Sequence, residues 1–85
     1  GGAVKIDSHL EFPLELALSS ATDNETEHFA LYAVIMHIGT LDSGHYTAFV
    51  KQRGEWFYID DALVTACSIE TVLSSNAYML FYIRK

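Results

Sequence analysis

The chain has 85 residues, a formal net charge of −6 and 51% hydrophobic residues, which predicts one folded domain rather than a disordered segment. The negative charge argues against a surface for nucleic acids or anionic membranes, and no stretch approaches the roughly 18 apolar residues of a membrane-spanning helix. The lone cysteine, Cys67, excludes an internal disulfide and is typical of a reducing compartment, the cytoplasm or the nucleus.

The N-terminal third predicts one strand and one loop. Residues 5–12 alternate apolar and polar side chains, which is typical of a strand, and Pro13 ends this strand or confines it to a sheet edge. Residues 19–28 are polar, acidic and rich in turn formers. We therefore expect a flexible loop there, or the stump of a longer insertion.

The middle of the chain predicts a buried strand followed by a hairpin. Residues 29–38 form a nearly continuous apolar run rich in β-branched and aromatic side chains, which indicates a central strand covered on both faces. After a loop at 39–44, two further strands, 44–51 and 55–61, are joined by a tight turn.

The C-terminal third adds a strand, a helix and a final strand. Residues 62–66 predict a short strand, and Ser68 is expected to cap a helical turn that runs through Leu73. Residues 77–83 are almost entirely apolar and predict a buried strand. The fold class that follows is α+β, with a mainly antiparallel β-sheet and one short helix.

A histidine at the start of one hairpin strand and an acid at the end of the next are the candidate functional residues. If the strands pair through a two-residue turn, Thr47 faces Asp60, and His45 lies on the same face as Thr47. Asp60 is then a diagonal neighbour of His45, at roughly 7 Å between backbones and within reach of the imidazole, whereas Asp61 points to the other face. A carboxylate that orients a histidine supplies two parts of a nucleophilic triad.

These residues also have ordinary structural interpretations. A lone histidine that begins a strand is usually structural or merely exposed, and an aspartate pair often forms only a turn. Three features favour catalysis: Gly44 allows close backbone approach just before His45, Asp60 falls on the matching face, and the polar loop 40–43 lies beside them.

The remaining thiol and imidazoles suggest no second site. Nothing in the spacing brings Cys67 to His45, so its expected role is packing. His9, His28 and His37 form no ligand spacing with a cysteine or an acidic cluster, and we expect neither a metal nor another cofactor. His37 ends the central strand, where it is either an auxiliary site residue or an ordinary strand-end histidine.

Five segments in the same order carry a resemblance to a known family. Residues 10–13, 32–39, 43–49, 56–61 and 77–82 together resemble the C-terminal histidine box of the ubiquitin-specific proteases. These enzymes are papain-like cysteine deubiquitinases with a thumb, a palm and fingers. The resemblance covers nearly all 85 residues and implies that the chain is the C-terminal, palm portion of such a catalytic domain.

The resemblance also implies a role for each site residue. In the family, the histidine that matches His45 is the general base, and the acid or amide that matches Asp60 orients it. The next acid, here Asp61, has a more variable, auxiliary part. The residues expected to border the ubiquitin tail are Asp42, Ser43, Gly44 and Tyr46.

One part of the family pattern does not occur in these residues. The family's nucleophilic cysteine lies in an N-terminal box on the thumb, and neither that box nor the paired cysteines that often bind zinc occur here. The expected partners are ubiquitin or ubiquitinated proteins and a segment carrying the Cys box, with no nucleic acid and no membrane. We expect the complete domain to hydrolyse the (iso)peptide bond after the ubiquitin C-terminus, and this segment alone to be inert.

The alternative from another class is a non-catalytic module that binds ubiquitin or acts as a scaffold while retaining the fold. The presence of both His45 and Asp60 weighs against it, because a site that has lost its chemistry need not keep either residue.

Overall fold

The computed structural model of the protein describes residues 2–5, 11–40 and 42–85. Its elements in chain order are β1 (Gly2–Lys5), β2 (Glu15–Ser19), β3 (Thr26–Ile38), β4 (His45–Gln52), β5 (Glu55–Asp60), β6 (Leu63–Cys67), α1 (Ile69–Leu73) and β7 (Met79–Arg84). The sheet has the order β1-β7-β3-β4-β5-β6, β2 pairs with β3 outside this row, and these pairings are antiparallel. The prediction of an antiparallel sheet with one short helix is confirmed for the described residues.

Strand β3 is the centre of the sheet, as its apolar run predicts. It begins at Thr26, three residues earlier than the predicted range 29–38. One of its edges pairs first with β2 and then with β4, and the other edge pairs with β7. Val34 faces Phe49 of β4 and Leu80 of β7, and its side chain is completely buried.

The β4–β5 hairpin has the register that a two-residue turn predicts. Gln52 faces Glu55 at the turn, and Ala48 faces Ile59 further along the strands. Arg53 has φ 54°. Gly54 has φ 82°. Positive φ at both central positions is the signature of the type I′ turn, whose twist matches that of paired strands.

The predicted strand at 5–12 is wrong at its C-terminal end, at Glu11 and Phe12. Strand β1 ends at Lys5, and Phe12 lies outside any strand, although it is buried in the core as its apolar side chain requires. The intervening part of the prediction, 6–10, lies outside the described residues.

The predicted loop at 19–28 is also shorter than expected. Ser19 ends β2 and pairs with Thr26 of β3, so only residues 20–25 connect the two strands. The two hydroxyl groups of this pair lie 3.2 Å apart and hydrogen-bond to each other. Polar side chains are compatible with this hairpin because both of its strands are largely exposed here, and exposed strand positions do not require apolar residues.

Helix α1 covers one face of the sheet. The Ser68 hydroxyl accepts a hydrogen bond from the Thr71 backbone N–H, which confirms the predicted N-cap. The buried cluster joins the helix to the sheet and consists of Phe12, Leu31, Val34, Phe49, Trp56, Val72, Ala77, Leu80 and Tyr82. In the described ranges, no helix has the length and apolar character that crossing a membrane requires.

Val72 is the side chain through which α1 enters this core, and we expect Val72→Ala to destabilise the fold. Its side chain is 0% exposed, so truncation removes buried methyl groups and leaves a cavity, at a cost of roughly 2 kcal/mol. The matched control is Val64→Ala, where the side chain is 60% exposed and truncation should cost much less. Denaturant unfolding of the full-length protein measures both, and equal costs would contradict this account of the core.

Candidate active site

The antiparallel hairpin brings the first residue of β4 to the last residue of β5. His45 begins β4 and Asp60 ends β5, so the register that pairs Ala48 with Ile59 places both at the same end of the sheet. Their side chains share a face with Thr47, which is itself buried, at 4% exposure. The predicted diagonal arrangement is therefore what the structure shows.

The two side chains form a direct hydrogen bond. His45 Nε2 lies 2.6 Å from Asp60 Oδ1. Both side chains remain accessible, with 45% of His45 and 35% of Asp60 exposed. Within the described part of the chain, the other ring nitrogen, Nδ1, has no hydrogen-bond partner. The contact thus fixes the ring through one nitrogen and leaves the other available to a reacting group.

The expectation that Asp61 points away from the histidine is wrong. Potential ligand atoms of His45, Asp60 and Asp61 all lie within 4.8 Å of one another. Asp61 has φ 53°, so it leaves the extended backbone at the β5–β6 turn, and the alternation of strand side chains no longer determines its direction. Each of the three residues could offer one atom to a cation. The proximity of His45 and Asp60 is already explained by their hydrogen bond and does not require a cation.

The acidic neighbours of His45 change its ionisation. The hydrogen bond with Asp60 and the negative charge of Asp60 raise the pKa of His45 above its ordinary value of 6.5, and Asp61 adds to this effect. Both carboxylates favour the imidazolium, which is the form that a histidine takes after it has accepted a proton.

Because Asp60 is the main cause of this shift, we expect Asp60→Asn to lower the pKa of His45. A raised folded-state pKa stabilises the fold below the unfolded pKa near 6.5, and this stabilisation disappears as the pH rises through the raised value. The variant should therefore lose stability relative to wild type mainly on the acidic side. NMR titration of the His45 ring in the full-length protein measures the shift, and Asp61→Asn is the matched control with a smaller effect. An unchanged pKa in Asp60→Asn would contradict the assignment.

His37 and Tyr46 lie on the opposite face from His45. The two residues face each other across β3 and β4, and their ring centroids are 4.6 Å apart. Tyr78 completes the group, with its ring 5.6 Å from that of His37 and 6.0 Å from that of Tyr46. Tyr46 is 53% exposed, so one side of this aromatic group is open to solvent. Sequence reasoning missed Tyr78, because it lies just before β7 and only the register brings it here.

The loop before His45 carries the other predicted residues. Asp42 and Ser43 are exposed within a turn, and the Ser43 backbone N–H donates to Thr40 Oγ1 at 3.2 Å. Gly44 is half-buried and contacts the His37 ring. Three of the predicted residues, Asp42, Ser43 and Gly44, therefore lie in the loop that leads directly into His45.

Cys67 lies at the far end of the hairpin from the candidate site. It faces Trp56, whereas Asp60 faces Leu63, four residues earlier in β6. A strand rises about 3.3 Å per residue, so Cys67 is roughly 13 Å from the Asp60 end. Burial also raises the pKa of its thiol above the ordinary value, which disfavours the thiolate. The expectation that Cys67 is not paired with His45 is confirmed by this geometry.

Comparisons with known proteins identify relatives over nearly the whole chain. A family model described as "Ubiquitin carboxyl-terminal hydrolase" matches residues 2–82. Human ubiquitin carboxyl-terminal hydrolase 22 is 40% identical, in an alignment that covers 92% of this chain and 18% of the relative. Ubiquitin carboxyl-terminal hydrolase nonstop of Drosophila melanogaster is also 40% identical and is covered over 17% of its length.

Solved structures show the same fold. The SAGA Ubp8/Sgf11/Sus1/Sgf73 DUB module contains a chain with a TM-score of 0.79 and 34% identity, covering 94% of this chain and 19% of the other. The same module bound to ubiquitin aldehyde gives a TM-score of 0.80 at 30% identity, covering 98% of this chain and 24% of the other. This chain therefore spans less than a quarter of the length of these relatives.

Proposed function

The chain belongs to the ubiquitin carboxyl-terminal hydrolase family, in its ubiquitin-specific protease branch, and from this premise we propose that it supplies the general base of a deubiquitinating cysteine protease. The observation that carries the proposal is the 2.6 Å contact between His45 Nε2 and Asp60 Oδ1. It lies at an accessible strand end, where a substrate and a nucleophile can both approach.

In the proposed reaction, the 85 residues act as the palm of a larger catalytic domain. Cys67 is the only cysteine among them and is remote from His45, so the attacking thiolate belongs to a Cys-box segment elsewhere in the full-length protein. Asp60 holds Nε2, and His45 therefore takes the thiol proton at Nδ1.

The steps that follow use the same two side chains. The thiolate attacks the carbonyl carbon of the (iso)peptide bond after the ubiquitin C-terminus, and His45 passes its proton to the leaving amine as the C–N bond breaks. A water then loses a proton to Nδ1 and its oxygen attacks the thioester carbonyl carbon. The C–S bond breaks, the sulfur recovers the proton from Nδ1, and the released ubiquitin carboxylic acid ionises in solvent. Asp60 and Asp61 stabilise the imidazolium that forms in each half of the cycle.

Ubiquitin is the partner in this proposal. Its C-terminal tail runs past the loop before His45 and past the first residues of β4. The residues assigned to the tail are Asp42, Ser43, Gly44 and Tyr46. The exposed ring of Tyr46, the residue after the base, supports this assignment, since it offers an accessible aromatic surface on the face of β4 opposite to His45. The lone cysteine is consistent with work in the cytoplasm or nucleus.

A thiol-reactive ubiquitin probe tests the proposal in the full-length protein. A ubiquitin with a C-terminal electrophile should label the wild-type protein covalently, and Cys67→Ala should be labelled equally well. Loss of labelling in Cys67→Ala would contradict the assignment of the nucleophile to another segment. Binding of ubiquitin without any labelling would support the alternative, a non-catalytic ubiquitin-binding module.

A further inference from the structure

The imidazole of His37 contains a buried nitrogen that has no hydrogen bond. Nε2 of this ring is shielded from solvent, and in the described part of the chain it finds no partner. The ring itself is well held by its contacts with Tyr46 and Tyr78. A buried polar atom without a partner costs free energy, and such an atom in a tightly packed ring requires an explanation.

The same nitrogen lies against the backbone that leads into the general base. A Cβ atom placed on Gly44 would lie 2.0 Å from His37 Nε2 and 2.2 Å from the Thr40 carbonyl oxygen. The ring nitrogen and this carbonyl therefore approach the Gly44 Cα from adjacent directions. Gly44 precedes His45 directly, so the ring supports the point at which the loop becomes the catalytic strand.

His37 cannot be the base itself. It pairs with Tyr46, whereas its neighbour Ile38 pairs with His45, so the two imidazoles lie on opposite faces of the sheet. Any effect of His37 on the reaction must pass through Gly44 and the loop at 39–44.

We propose that His37 is a positioning residue, whose Nε2–H donates a hydrogen bond to the Thr40 carbonyl when the substrate tail is bound. This inference rests on the proposed function. A bond that forms only in the bound state favours that state, because a ligand shifts an equilibrium only through interactions that differ between the two states. In the free protein, His37 Nε2 is buried without a hydrogen bond, which is unfavourable. In the bound state, the new hydrogen bond fixes the loop next to His45.

Three variants of His37 in the full-length protein separate this role from packing. His37→Phe keeps the ring and removes the nitrogen, so its melting temperature should equal or exceed that of wild type. Its kcat/KM for ubiquitin with a C-terminal fluorogenic amide should nevertheless fall about tenfold, which is the effect expected from the loss of one hydrogen bond. His37→Gln places an amide near the position of Nε2 and should recover most of the loss, whereas His37→Asn, which reaches only as far as Nδ1, should not. The matched control is His28→Phe, an exposed histidine of the same strand.

Each result of this experiment decides the proposal. A Phe variant with wild-type kcat/KM, or Phe and Gln variants that lose activity equally, would overturn the role of His37 and leave the proposed function intact. A wild-type protein without hydrolysis would overturn both. Should the Phe variant lose stability, the ¹⁵N shift of His37 Nε2 in wild-type protein replaces it as the test. That shift should move on binding of ubiquitin aldehyde, and an unchanged value would refute the new hydrogen bond.

Discussion

Replacing His45 with alanine should remove nearly all hydrolysis in the full-length protein, a loss on the order of 10⁴-fold in kcat. The variant retains Asp60, but no group remains to take the thiol proton or to protonate the leaving amine. Ubiquitin binding should persist, because the loop and Tyr46, to which we assign the tail, are unchanged. Steady-state kinetics with a fluorogenic ubiquitin amide measures the first effect, and calorimetric titration with ubiquitin measures the second.

His28→Ala is the matched control for this loss. His28 lies on β3 and is exposed, so its removal should leave kcat unchanged. Turnover by His45→Ala at the wild-type rate would end the general-base assignment, whatever the geometry of the site.

Gly44→Ala should be the second most damaging substitution, with a loss of about 10²-fold or more in kcat/KM. Its methyl group would lie 2.0 Å from His37 Nε2 and 2.2 Å from the Thr40 carbonyl oxygen. The carbonyl belongs to the backbone, so the clash cannot be relieved by rotating a side chain. Either the loop or the start of β4 must move, and His45 moves with it.

Gly54→Ala distinguishes this clash from a general effect of losing a glycine. Gly54 lies at the other end of β4 with φ 82°, and an added Cβ there would meet nothing within 4 Å. That variant should lose about 1 kcal/mol of stability from its backbone conformation and almost no activity. A Gly44→Ala enzyme that retains full activity would show that the loop is not held at this point.

The candidate pair could be predicted from the sequence because a single geometric rule determined it. A two-residue turn fixes the register of a hairpin, and the register together with strand alternation places His45 and Asp60 on one face. The same rule failed for Asp61, because its positive φ interrupts the alternation one residue beyond the strand. Strand alternation therefore predicts the direction of a side chain only within the regular strand.

Features that depend on contacts between distant parts of the chain were harder to predict from the sequence. Strand β2 is only five residues long and largely exposed, so its place in the sheet depends on its pairing with β3 rather than on burial of its own side chains. The unpaired nitrogen of His37 depends on contacts with Gly44 and Tyr78, residues brought to it by different strands. The sequence shows a histidine at position 37, but only the assembled sheet shows that its Nε2 atom is buried.

The position of β7 in the sheet has a consequence for synthesis on the ribosome. Strand β7 lies between β1 and β3, although it is made after both of them. At about 5–20 residues per second, roughly two to eight seconds separate the end of β3 from the start of β7. Throughout that interval the nascent chain carries the apolar central strand with one edge unpaired. A chaperone that holds this edge would protect the chain from pairing with a neighbouring nascent chain.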